Sequence, residues 1–179
     1  IFARGRIEPP GTGRIGEAFI DSLRAKTDKS VGFYPVNYPA DTEIVQGAND
    51  MSRHIQYMAS NCPNTRLVLG GYSLGAAVTD VVLGVPSPAF GYTNPLPLGM
   101  NDHVAAVALF GNGTRSVLGP VSALSPLYGA KTIDLCTDLD PICSGNLDDP
   151  IGNWASHLQP AYIDSGLVDQ AASFVAARL

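Results

Sequence analysis

The chain has 179 residues, 45% of them hydrophobic and 15% charged, with a formal net charge of -5 at pH 7 and three cysteines. That length and apolar content suffice for one domain, residues 1–179, whose core needs neither a metal nor a dense disulfide framework. Lys and Arg are scattered singly, so there is no basic stripe for nucleic acid, and no apolar run reaches the length of a membrane span.

Ile1-Phe2-Ala3 reads as the end of a strand rather than a signal peptide, so the sequence is expected to start within a longer chain. Gly11-Thr12-Gly13-Arg14-Ile15-Gly16 matches the dinucleotide fingerprint and opens a helix. Arg6 to Pro10 separate it from the preceding strand, however, and a pyrophosphate-binding turn needs its first glycine at the strand end. Helical spacing of Ile15, Ala18, Phe19, Ser22 and Leu23 predicts a first helix, and Ile44, Ala48, Met51, Ile55 and Met58 predict a second. Short β-type runs are expected at residues 31–38, 66–72, 103–110 and 132–136. Residues 84–100 carry four prolines and neither period, which makes them a long loop, bordering a site as a partial lid or lying inert on the surface. A last helix is predicted from about Asp164 to the end, burying Leu167, Ala171, Phe174 and Val175. Alternating strands and helices imply a three-layer α/β/α fold around a parallel sheet of about five strands, with function at the strands' carboxyl ends.

Gly71-Tyr72-Ser73-Leu74-Gly75 matches G-x-S-x-G, with a strand pattern running in and a helix-compatible segment running out. A sharp strand-to-helix turn strains the serine backbone, and glycines two positions either side remove side chains that would collide there. The turn presents Ser73 as a nucleophile and sets the Leu74 N–H at a helix N-terminus, where it can stabilise an oxyanion. In this motif's fold the acid and then the histidine follow the serine along the chain. His54 precedes Ser73 and His103 precedes any acid loop, which leaves His157 as general base.

The acid comes from Asp80, Asp102, Asp134, Asp138, Asp140, Asp148 or Asp149. Cys136 and Cys143 lie seven apart, a spacing suited to a disulfide clamping their loop, and Asp140 sits inside that loop after a strand. Asp140 is therefore the expected acid, with Asp138 as runner-up. Cys62 is left over, either as a buried thiol or as the partner of a cysteine upstream of Ile1. Asn112-Gly113-Thr114 fits a glycosylation sequon, a pattern too common to carry an inference.

Phe2-Ala3-Arg4-Gly5, Cys62-Pro63-Asn64-Thr65, Gly70 to Ser73, the stretch from Cys136 through Asp140 to Cys143, and His157 together span nearly the whole chain. In these segments the chain resembles the cutinases, and more closely the cutinase-like proteins of mycobacteria. The resemblance implies a lidless α/β-hydrolase with a five-stranded parallel core that hydrolyses carboxylic esters through Ser73, Asp140 and His157. It also implies oxyanion donation by the backbone N–H groups of Leu74 and Arg6, and pairing of Cys62 with a cysteine just before the first strand. Fungal cutinases carry Ser where Arg6 stands and Gln where Leu74 stands; backbone donation survives both changes.

The expectation is a secreted or cell-envelope serine esterase or lipase, monomeric and without cofactor or metal. Its partners would be ester or lipid substrates, with peripheral contact to lipid surfaces and none to nucleic acid. A catalytically weak lipid-binding envelope protein and an acyltransferase are the alternative functions.

Overall fold

The computed structural model describes residues 1–179. Its sheet holds four parallel strands in the order β1 (Phe2–Ala3), β2 (Leu67–Tyr72), β3 (Val104–Phe110) and β4 (Thr132–Leu135). Phe2 pairs with Gly70, Gly70 with Ala108, and Ala108 with Ile133. Strand β3 is buried at every position, as expected of a central strand covered on both faces, whereas the edge strand β4 is half-buried over three of its four residues.

Helices α1 (Gly13–Arg24) and α2 (Val45–Asn61) follow β1, and α3 (Leu74–Gly84) follows β2. Helix α1 buries Ile15, Phe19 and Leu23 with Phe2, Phe110 and Tyr162 on one face of the sheet. Helix α2 buries Ala48, Met51 and Ile55 with Leu69, Val78 and Leu109 on the other. At about 1.5–3 kcal/mol for each large apolar side chain removed from water, these two layers dominate the folding free energy.

The structure departs from the sequence reading in places and adds to it in others. Residues 31–38 form no strand; one bridge, Phe2 to Pro35, stands where a fifth strand was expected. This edge makes two backbone bonds, Phe2 N to Tyr34 O and Val36 N to Phe2 O, and β1, at two residues, is too short to offer a longer ladder. Between β3 and β4 the chain forms three short helices, α4 (Thr114–Leu118), α5 (Val121–Leu124) and α6 (Pro126–Gly129), each too brief to show a period. The last predicted helix is two, α7 (Gln159–Asp164) and α8 (Leu167–Ala176), split by Gly166 at φ 82°. In α8, Val168 and Ala172 are buried, whereas Leu167 and Phe174 are only half-buried. Finally, Cys62 is exposed, so it is not a buried thiol.

Residues 84–100 are fastened to α2. Asn49 donates to Gly91 O at 2.9 Å and accepts from Thr93 N at 2.9 Å, Ser52 donates to Asn94 O, and Tyr92 is buried.

Candidate active site

The G-x-S-x-G turn follows from sterics. A Cβ on Gly71 would lie 2.1 Å from Gly75 O, and one on Gly75 would lie 2.0 Å from Ala3 O, so only glycine lets β1, β2 and α3 approach this closely. Ser73 sits between them at φ 54° and ψ -116°, a strained conformation for a residue with a Cβ. Its N–H is held by Phe110 O at 2.9 Å, and its Oγ lies 2.8 Å from His157 Nε2.

His157 ends a 3₁₀ turn, Trp154–His157. The Tyr72 hydroxyl donates to His157 O, and the Trp154 ring lies 5.3 Å from the imidazole. A Cβ on Gly111 would lie 3.1 Å from His157 Cε1, so bare backbone forms one wall of the imidazole's slot.

His157 Nδ1 is 2.7 Å from Asp140 Oδ2, a distance at which the ring donates from Nδ1 and leaves Nε2 to face Ser73. The Tyr162 hydroxyl also donates to Oδ2, while Oδ1 accepts from Ile142 N at 2.7 Å and Cys143 N at 3.3 Å. Burial raises the Asp140 carboxyl, but the hydrogen bonds from His157 and Tyr162, the His157 charge and the Ile142 N–H outweigh it and hold it below the ordinary range. The Cys136–Cys143 disulfide closes the loop that carries Asp140. Asp138, in the same loop, is exposed, and Asp148 and Asp149 lie in an exposed turn.

Leu74 N and Gly75 N open α3 and donate to no acceptor within the chain, and neither does Arg6 N. The loop bearing Arg6 is fixed from several sides. Buried Arg4 donates to Tyr38 O at 2.7 Å and to Glu8 O at 2.8 Å, and Ile7 N donates to Ala40 O at 2.7 Å. Glu8 accepts from Gly5 N at 2.7 Å and, with its other oxygen, from Arg14 N at 3.0 Å. That carboxylate therefore occupies the N-terminus of α1, the place a dinucleotide phosphate would need.

In front of Ser73 and His157 opens a cavity of about 1130 Å³, lined by Arg6, Leu74, Val117, Leu124 and Trp154 among others. Only the first residues of the proline-rich stretch, Gly84 and Val85, reach it, so of its two expected roles the partial lid is not formed; α4 and α5 supply the wall there. Ile7, Val117 and Trp154 are exposed at its rim.

Sequence reasoning passed over a second polar cluster. Asn112 donates to Asp80 Oδ2 at 2.9 Å and Asp134 Oδ2 at 3.2 Å, and Arg115 donates to Asp134 Oδ1 at 3.4 Å. Asn112 is 1% exposed, which rules it out as a glycosylation acceptor despite the sequon. Asp80 and Asp134 were both weighed as candidate acids, but nothing local in the sequence signals their shared partner. Asp134 lies in a strand, and Asp80 is separated from Asn112 by 32 residues. His54, for its part, stacks on Tyr34 at 3.5 Å, away from the site.

A parallel sheet covered by helices on both faces, with a Ser, His and Asp constellation beyond its strand ends, defines the α/β-hydrolase class. A cutinase family profile matches residues 1–179, and the chain belongs to the cutinase family. It is 59% identical to the probable carboxylesterase Culp2 of Mycobacterium tuberculosis, over 100% of this chain and 78% of that one. It is 54% identical to the phospholipase Culp4 of the same organism, over 100% and 77%. Among solved structures it resembles a Trichoderma reesei cutinase in complex with a phosphonate inhibitor, with TM-score 0.73, 30% identity and coverage of 98% of this chain and 75% of that one. An acetylxylan esterase superposes with TM-score 0.77 and 25% identity over 99% and 95%.

Proposed function

We propose that this chain hydrolyses carboxylic esters, with Ser73 as nucleophile, His157 as general base and Asp140 as the carboxylate that fixes the imidazole. The observation that carries the reading is the unbroken chain of contacts from Ser73 Oγ to His157 Nε2 at 2.8 Å and from His157 Nδ1 to Asp140 at 2.7 Å, opening on an apolar cavity. Ser73 Oγ bonds to the ester carbonyl carbon as its proton passes to Nε2, and that proton leaves with the alcohol. Water then gives a proton to Nε2 and its oxygen to the acyl carbon, which releases the acid and restores Ser73. The Leu74 and Arg6 N–H groups, free of internal acceptors, receive the oxyanion of both tetrahedral intermediates.

The carboxylesterase and phospholipase names of the relatives support ester hydrolysis, and the lining supports an apolar acyl or lipid chain as the group bound. Exposed Ile7, Val117, Leu118 and Trp154 around the mouth suit peripheral contact with a lipid surface. The disulfide suits an oxidising compartment, hence secretion or the cell envelope, and a triad contained in one chain suits a monomer.

Labelling with a fluorophosphonate probe, followed by mapping of the modified peptide, tests the reading. Stoichiometric modification of Ser73, lost in His157→Ala, is expected. Folded protein that takes up no label would overturn it and favour a lipid-binding role without turnover.

A further inference from the structure

Helix α3 presents one face to the cavity, with Ser73 at its start followed by Ala77, Asp80, Val81 and Gly84 at helical spacing. Asp80 is the one acidic side chain in this lining, which apart from Thr114 is apolar around it, and it is 3% exposed. At 1.5 Å per residue, seven residues place it about 10 Å along the axis from Ser73.

Only one of its oxygens is served. Oδ2 accepts from Asn112, and Oδ1 has no hydrogen-bond partner. The neighbours have nothing further to give. Both N–H groups of the Asn112 amide are spent, on Asp80 and Asp134, and its oxygen accepts from Thr114 N at 3.0 Å. Arg115 is turned to Asp134. The Thr114 hydroxyl lies near enough to favour the ionised form of Asp80 but makes no hydrogen bond to Oδ1. That oxygen is closed off from direct contact with solvent, so the carboxylate either takes a proton or carries a charge eased only by Asn112 and by the polarity of what fills the cavity beside it.

Resting on the proposed ester hydrolysis, we infer that Asp80 is a specificity-determining residue that makes the acceptance of long apolar chains conditional on its own protonation. At about 1.2 Å per bond of an extended chain, 10 Å is about eight bonds. A butyryl chain starting at Ser73 stops short of Asp80 and leaves water in the part of the cavity beside it. A decanoyl chain running along the α3 face replaces that water with hydrocarbon and raises the cost of the charge whenever the carboxyl is ionised.

Burial pushes the Asp80 carboxyl up to about 7. The Asn112 hydrogen bond opposes this, the Asp134 charge adds to it, and Thr114 opposes it slightly. The charged groups facing it across the cluster are Asp134 on β4 and Arg115 on α4, with Asp134 the one whose charge is felt directly. The switch therefore operates across neutral pH, open to long chains on the acid side and closed on the basic side.

The test compares kcat/KM for p-nitrophenyl decanoate and p-nitrophenyl butyrate at pH 5.5 and pH 8.5. Any loss shared by the catalytic groups cancels in the ratio of the two. In the unmodified protein the decanoate-to-butyrate ratio is expected to rise about tenfold from pH 8.5 to pH 5.5, corresponding to about 1.4 kcal/mol. In Asp80→Asn, with folding checked by circular dichroism, it is expected to be high and flat. A ratio independent of pH in the unmodified protein, or one whose pH dependence persists in Asp80→Asn, would overturn the inference while leaving the esterase reading intact. Failure to hydrolyse butyrate at either pH would instead bring down the esterase reading and this inference with it.

Discussion

Asp140, behind His157, and Asp80, two turns along α3 from Ser73, are both removed from solvent, at 0% and 3% exposure. Their carboxyls nevertheless move in opposite directions, Asp140 down and Asp80 up to about 7. Burial pushes both the same way, so the donors decide. Asp140 accepts from His157, Tyr162, Ile142 N and Cys143 N, whereas Asp80 accepts from Asn112 alone. One region of this molecule holds a charge that its donors fully serve; the other tolerates a charge it cannot fully serve.

The comparison is tested hardest at Asp140. Asp140→Asn keeps the size of the side chain and presents an amide to His157 Nδ1, which reverses the tautomer that Nε2 needs in order to take the Ser73 proton. A fall in kcat on p-nitrophenyl butyrate of about 10⁴-fold is expected, by analogy with the same change in a serine protease. A loss of less than tenfold would mean that the four donors around Asp140 serve the loop rather than the imidazole.

The next test is stability at Asp80. The folded-state carboxyl is raised from 3.8 to about 7, so its contribution is fully present below 3.8 and is lost as pH rises toward 7. Asp80→Asn can still accept from Asn112 and carries no charge. The variant and the unmodified protein are expected to differ little in unfolding free energy at pH 4. By pH 8 the variant should be the more stable by on the order of 3 kcal/mol, or roughly 5–10 °C in Tm for a domain of this size. A variant less stable at pH 8 would break the comparison, since it would show that the ionised Asp80 finds partners of its own.

The two carboxylates also differ in how far the sequence exposes them. Asp140 is legible because its signals are local: a strand before it, cysteines at 136 and 143 around it, and Ser73 and His157 in the order the motif demands. The parallel sheet and the first two helices are legible for the same reason, since their periodicities run over neighbouring residues. Asp80 is not, because Asn112, Thr114 and Asp134 reach it only once β3, β4 and α4 are packed together. Tyr162 escapes notice likewise; in the sequence it is an apolar position on a helix, and only the fold turns its hydroxyl onto Asp140. The expected fifth strand fails because β1 offers it only Phe2 and Ala3 to pair with, a limit that no local pattern in residues 31–38 reveals.

Tyr162 gives the smallest effect and the finest test. Its ring packs edge-on against Phe110 and Tyr72, and Tyr162→Phe retains that packing while removing one donor from Asp140. The carboxyl should move up toward its ordinary value. A depressed acid contributes stability that is present above its unfolded value and lost as pH falls through the folded one, so the cost of the variant should itself depend on pH. A deficit of about 2 kcal/mol in unfolding free energy is expected at pH 7, where the hydroxyl serves a charge. It should shrink as the solution is acidified and Asp140 gains its proton in both proteins. A deficit that stays the same on acidification would assign Tyr162 to packing alone and leave three donors, not four, holding Asp140 ionised.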